Sequence, residues 1–259
     1  MLESMSIAAT GMHAQQLTID VVANNLANAN TMGFKKSRID FEDLVYRAAH
    51  PNKNGLINPD IMQPFGTGTA LLSVGKVFDS GELKKTERSL DIALQGEGFL
   101  EVIMPDGSYG YTRAGSLKVD KDGMLTNMDG HALSSLIQMP EDTQNIIIDK
   151  DGKVFIEIVS EDDPLNVGQI ELSKFVNPME LTPMGSNLYK PSDASGDALY
   201  GTAGNNGFAS IEQGYLEASN VSLVEELTNL MMAQRAYELN SKVIQASDEI
   251  LGIVNGLRR

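Results

Sequence analysis

The chain has 259 residues, 42% of them hydrophobic, and a formal net charge of −15. It is long enough to bury a substantial core, and its charge opposes a non-specific grip on nucleic acid or anionic lipid headgroups. It contains no Cys, which removes disulfides, thiolate nucleophiles and most structural zinc sites.

The first residues carry an acid at Glu3, no Lys or Arg before Lys35, and no apolar block of signal-peptide length. The expectation is a chain with no cleavable Sec-type signal and no membrane span. All nine prolines lie between Pro51 and Pro191, leaving both ends free of helix breakers. In the first end, Ala8, Met12, Gln15, Ile19, Val22, Leu26 and Ala29 advance by alternating steps of four and three, the seam of a coiled coil. Asn24, Asn25, Asn28 and Asn30 crowd the end of this helix, where Asn is a poor helix former. Residues 46 to 70, with Pro51, Gly55, Pro59, Pro64, Gly66 and Gly68, read as a loop-rich connector.

Further on, the period changes to two. Leu90, Ile92 and Leu94 alternate with polar neighbours, as do Val154, Ile156 and Ile158, and these are strands. Pro105-Asp106-Gly107, Asp120-Lys121-Asp122-Gly123, Met128-Asp129-Gly130 and Asp149-Lys150-Asp151-Gly152 supply hairpin turn chemistry. An antiparallel β domain follows from this, with Gly185 to Gly207 expected to be a flexible stretch inside it. Residues 79 to 163 hold 18 acids against 8 bases, so the acidity sits mainly on that domain.

Near the other end, Ser222-Leu223-Val224-Glu225 reads as a capping box. Leu223, Leu227, Leu230, Gln234, Tyr237, Ser241, Ile244, Asp248 and Leu251 then keep the coiled-coil spacing as far as Asn255-Gly256. The expected class is α+β: long N- and C-terminal helices forming a coiled-coil-like domain, with an inserted antiparallel β-rich domain. The boundaries are 1–32 for the first helix, 33–88 for an extended connector, 89–212 for the β-rich domain and 213–259 for the second helix. Small and polar stripe residues such as Ala8, Ala9, Ala23, Gln15, Gln234 and Ser241 leave two such helices underpacked if they touch only each other. They suit a multi-helix array; a helical hairpin within one chain is the alternative.

Reactive chemistry finds little support. His13, His50 and His131 fall in three kinds of segment, and neither an HExxH nor a GxSxG motif occurs. The two Asp-Lys-Asp-Gly runs place His131 and Ser160 where an EF-hand requires Glu, so they read as turns. Gly66-Thr67-Gly68 and Gly96-Glu97-Gly98 lack the third glycine of a dinucleotide loop. No catalytic, cofactor or metal site is expected, and the chain is read as not an enzyme.

Ala23-Asn24-Asn25-Leu26-Ala27-Asn28, followed by Thr31-Met32-Gly33-Phe34-Lys35, resembles the N-terminal signature of bacterial flagellar rod, hook and hook-associated axial proteins. Ser89 to Phe99, Tyr111-Thr112-Arg113-Ala114-Gly115-Ser116, Gln213 to Val221 and Gln234-Arg235-Ala236-Tyr237-Glu238 resemble further blocks of that family, in its order. Phe41 to Tyr46, Gly66-Thr67-Gly68 and Glu225-Glu226-Leu227 are most similar to the distal rod type. Leu100 departs from it, since a second aromatic commonly follows Phe99 there.

The resemblance implies a structural subunit exported unfolded through the flagellar type III apparatus, without a cleavable signal. Such subunits stack into a hollow helical drive shaft in the basal body, within the cell envelope, and carry torque from motor to hook. The implied partners are further copies of the chain, proximal rod proteins, the hook protein, the basal-body rings and the export apparatus. The residues expected to pack the tube are Met5, Met12, Ile19, Val22 and Leu26 with Leu223, Leu227, Leu230, Gln234, Tyr237, Ile244 and Leu251. Asn24, Asn25, Asn28, Phe34 and Lys35 are expected at contacts near the helix-to-connector bend. A proximal rod or hook subunit, a secreted β-rich carbohydrate-active protein and an export chaperone are the competing readings.

Overall fold

The computed structural model describes residues 2–44, 47–48, 64–140, 142–158 and 163–256; of the loop-rich connector expected over residues 46 to 70, residues 46 and 49–63 lie outside the described residues. Two helices flank many antiparallel strands, so the class is α+β. Contacts divide the chain into two units, Met1–Ala27 with Ser37–Gly75 and Ser222–Arg259, and Asn28–Lys36 with Lys76–Val221.

The first unit is built on helix α1 (Leu2–Ala27) and helix α2 (Leu223–Gly256). At 26 and 34 residues they run about 40 Å and 50 Å. The two helices pack on each other, and their approach is close: a Cβ added to Gly11 would stand 2.9 Å from Asn240 Nδ2. On α2 the buried residues are Glu226, Ala233 and Ser247, all small or polar. Helix α1 ends at Ala27, with Asn24 and Asn25 still inside it, and just beyond it the Thr31 amide and hydroxyl both donate back to Asn28. An extended ribbon completes the unit, pairing Ser37–Asp43 with Thr69–Lys76. Its first strand starts on α1, because Asn25 Oδ1 accepts the Ser37 amide at 2.8 Å and Asn25 Nδ2 donates to the Ser37 carbonyl at 3.0 Å.

The second unit holds a six-stranded antiparallel sheet in the order Thr182–Gly185, Leu188–Lys190, Tyr109–Thr112, Phe99–Ile103, Glu171–Lys174, Leu199–Thr202. Thr143–Ile148, Lys153–Ile158 and Leu165–Gln169 form a three-stranded sheet. Ile92–Gln95 pairs with Ser210–Gln213, and Leu83–Lys85 with Tyr215–Glu217. The alternating residues Ile92, Leu94 and Val154 join Leu100, Leu125, Ile170, Leu172 and Ile211 in the main core, and Ile156 is fully buried as well. A second core is aromatic: Phe99, Tyr111, Phe175 and Tyr189 meet edge to face, with Phe78 packed against them.

Both Asp-Lys-Asp-Gly runs close hairpin turns. The Gly123 amide donates to Asp120 O and the Gly152 amide to Asp149 O, with φ of +75° and +81° at the two glycines. The expectation of a flexible stretch at Gly185 to Gly207 is corrected. Leu188–Lys190 and Leu199–Thr202 within it are strands of the six-stranded sheet, and Leu188 and Tyr189 are buried. Its glycines at positions 185, 196, 204 and 207 have positive φ and make the turns between short strands.

Candidate functional site

The second unit brings together three ionisable side chains from distant parts of the sequence. Lys35 lies on the segment that follows α1, Arg113 just after the strand Tyr109–Thr112, and Glu217 at the end of the strand Tyr215–Glu217. Glu217 Oε1 accepts Lys35 Nζ at 2.6 Å and the Gly81 amide at 2.8 Å, while Oε2 accepts Arg113 Nε at 3.1 Å. Lys35 also donates to the Asp79 carbonyl at 2.6 Å, and Arg113 Nη2 to the carbonyls of Gly96 at 2.8 Å and Leu94 at 3.3 Å. All three side chains are at most 2% exposed. One carboxylate thus faces two cations, and backbone carbonyls take up further donors of both.

Electrostatics follows from that arrangement. Burial, and next the Arg113 cation, hold the Lys35 ammonium below the usual lysine range, against the pull of Glu217. Lys76 is likewise lowered by burial, with its Nζ 4.4 Å above the Phe34 ring and donating to Lys35 O at 3.0 Å. Close backbone approach makes glycine necessary twice. Gly33 has φ of +72° and a Cβ there would lie 2.9 Å from Ala114 Cα; a Cβ on Gly81 would collide with Ala218 O. Asn220 fastens the same junction, accepting the Lys36 amide at 2.8 Å and donating to Val77 O at 2.8 Å. No atom of this anchor is presented for reaction: it is a clasp. Among the described residues no group of three or more His, Asp or Glu side chains could hold a metal ion.

The first unit has a different character. Asn25 Nδ2 reaches Glu226 Oε2 at 3.3 Å, both residues being buried. Of the residues expected to pack a tube, Val22, Asn25, Phe34 and Lys35 are buried within the chain itself. Met5, Met12, Ile19, Leu26, Asn28, Leu230, Ile244 and Leu251 are partly buried, and Asn24, Leu223, Leu227, Gln234 and Tyr237 are exposed. Leu227, Met231, Met232, Leu239, Val243, Ile250 and Ile253 of α2 are all exposed as well. Periodicity passed over Glu217, Arg113, Asn220 and Glu226, although the first three stand inside the quoted blocks Tyr111 to Ser116 and Gln213 to Val221, and Glu226 inside Glu225-Glu226-Leu227.

Three family models match in chain order: flagella basal body rod protein over residues 5–35, flagellar hook protein FlgE/F/G D1 domain over 93–156, and flagellar basal body rod FlgEFG protein C-terminal over 212–257. The flagellar basal-body rod protein FlgG of Borreliella burgdorferi is 42% identical, covering 100% of both chains. The chain belongs to the flagellar basal-body rod protein family. FlgG of Caulobacter vibrioides is 38% identical over 99% of this chain and all of its own, and FlgG of Bacillus subtilis 36% over the whole of both. In this rod-family chain each matched segment supplies one member of the clasp: Lys35, Arg113 and Glu217.

Proposed function

We propose that this chain is a structural subunit of the flagellar distal rod, joining copies of itself into the hollow helical shaft that transmits torque from motor to hook. In this reading α1 and α2 form a coiled-coil-like layer of the shaft. The observation that carries the reading is the inverted character of α2. The face it buries holds Glu226, Ala233 and Ser247, whereas Leu227, Met231, Leu239, Val243 and Ile253 face solvent. A helix with apolar residues on the side away from its partner belongs inside a larger assembly. Each such side chain contributes about 1.5–3 kcal/mol when it is fully buried, so neighbouring copies supply the stabilisation that a single chain lacks. Met5, Met12, Ile19 and Leu26 with Leu223, Leu227, Leu230, Gln234, Tyr237, Ile244 and Leu251 make those contacts, while Asn25, Phe34 and Lys35 act from inside the subunit. A contact between different surfaces of identical chains does not close on itself, and it repeats along an axis. The further partners are the proximal rod proteins below, the hook protein above, the basal-body rings around the shaft and the type III apparatus that exports the chain. Its place is the basal body, within the cell envelope.

Leu227→Asp tests the reading. Leu227 is 46% exposed, so the charge leaves the subunit folded and enters the contact between copies. The expected result is loss of polymer and of motility, with the melting of the β-rich unit unchanged. Polymer and motility at wild-type levels would overturn the proposal.

A further inference from the structure

The six-stranded sheet carries a carboxylate with no cation beside it among the described residues. Glu101 stands opposite Tyr111 in the register of Phe99–Ile103 with Tyr109–Thr112. Tyr109, two residues from Tyr111, shares that face. Tyr200 reaches it from the strand Leu199–Thr202, opposite Ser173, which is in turn opposite Phe99. Glu101 Oε1 accepts the hydroxyls of both Tyr111 and Tyr200, each at 2.9 Å. Among the described residues no donor meets Oε2 and no basic side chain pairs with it. Glu101 is only 7% exposed. Two phenols orient this carboxylate without compensating its charge. The rings beside it are open to solvent, with Tyr109 50% and Tyr200 56% exposed. Aromatic faces next to a fixed carboxylate are what an ammonium or guanidinium group seeks.

We propose that Glu101, Tyr109 and Tyr200 form a receptor for a Lys or Arg side chain of a second copy of this chain. The inference rests on the rod reading and names one of its contacts. The rod reading makes a second copy the source, and its exposed lysines supply the charge. The acid-rich units of two copies repel one another in general, so their contact requires specific pairing of base to acid. The same unit offers the bases: Lys84 and Lys85 stand side by side on the exposed strand Leu83–Lys85, with no ion pair among the described residues. A receptor on one strand and its cation on another make the contact heterologous, the kind that propagates.

The test follows self-association of the full chain and of Glu101→Gln by sedimentation over a salt series. Gln keeps an acceptor oxygen for both hydroxyls, so the thermal midpoint stays at the wild-type value. Assembly weakens about tenfold and loses most of its salt dependence. Where the midpoint does fall, Tyr109→Ala decides, because its ring is half exposed: weaker assembly at an unchanged midpoint supports the receptor, and unchanged assembly overturns it. A photo-crosslinking residue at position 109 in the assembled polymer is expected to capture a peptide of a second copy that contains Lys or Arg. Capture of a different protein, or of no basic segment, overturns the proposal. Equal assembly and equal salt dependence in Glu101→Gln overturn it while leaving the rod reading intact. A wild-type chain that never assembles overturns both.

Discussion

Lys35 carries its ammonium where water does not reach, 2.6 Å from Glu217 and with no exposed surface. Such a pair is held by geometry more than by net attraction, because desolvation offsets much of the Coulomb energy. Removing one partner is the costly change. Glu217→Gln leaves Lys35 and Arg113 buried without their counter-charge, and denaturant unfolding of the β-rich unit is expected to show a loss of about 3–5 kcal/mol. In Lys35→Met combined with Glu217→Gln the losses fall short of additivity by about 0.5–3 kcal/mol; strictly additive losses would mean that the two do not act as a pair. Tyrosines set the response to alkali. Tyr189 is pushed up to about 12 by burial, and burial likewise raises Tyr111. A group whose folded pKa is raised stabilises the fold below its unfolded value, so this contribution is present below pH 10 and is lost as pH rises toward about 12. Lys35, lowered, works the other way: its contribution to stability grows as pH rises and stops changing above its ordinary value of 10.5. Tyrosinate absorbance of the folded chain should therefore lag behind that of the denatured chain, and a coincident titration would contradict the burial of Tyr189. Lys35 itself was legible in the motif Met32-Gly33-Phe34-Lys35. Its partner was not, because 182 positions separate it from Glu217 and periodicity reports only local neighbours.

At the scale of elements, the two helices were readable from spacing and from the absence of proline, but their contact face was not. Steps of four and three place Leu223, Leu227, Leu230 and Tyr237 on one stripe, whereas the residues that α2 buries are Glu226, Ala233 and Ser247. Gly, Ala, Ser and Asn are not hydrophobic signals, yet they are what a close helix crossing needs. Gly11 packs against Asn240, where an added Cβ would stand 2.9 Å from Asn240 Nδ2. Gly11→Leu is expected to force the helices apart and to lower stability by about 1–3 kcal/mol, read as an earlier loss of helical circular dichroism on heating. A melt that moved upward, following the better helix propensity of Leu, would show that there is room at the crossing. The strands were more legible, since alternation at Ile92 and Leu94 and at Val154 and Ile156 states both the element and its buried face. Short strands between glycine turns, as at Leu188–Lys190, carry too few residues for an alternation to register.

At the scale of the whole molecule, the β-rich unit is assembled from two separate stretches, Asn28–Lys36 and Lys76–Val221. Phe34, Lys35 and Gly33 belong to it through Lys76, Glu217 and Ala114. The unit is therefore closed by residues that adjoin both terminal helices in sequence. A fragment spanning 28–221 is expected to melt above one spanning 37–221, because the shorter one leaves Glu217 and Arg113 without Lys35 and opens the site of Phe34. Equal melting of the two would show that the segment from 28 to 36 is attached to the unit without being part of it.

Composition, spacing and the ordered signature blocks determined the class, the two terminal helices, the β-rich middle and the family, because each of these is written in local periods and short motifs. Tertiary structure alone decided which residues meet. It paired Lys35 and Arg113 with Glu217, buried Glu226, Ala233 and Ser247 of α2 while leaving many of its large apolar residues exposed, and left Glu101 facing two phenols without a cation among the described residues. The reason is physical: burial and charge compensation depend on distances through space, and no local pattern along the chain encodes a contact made across 182 positions.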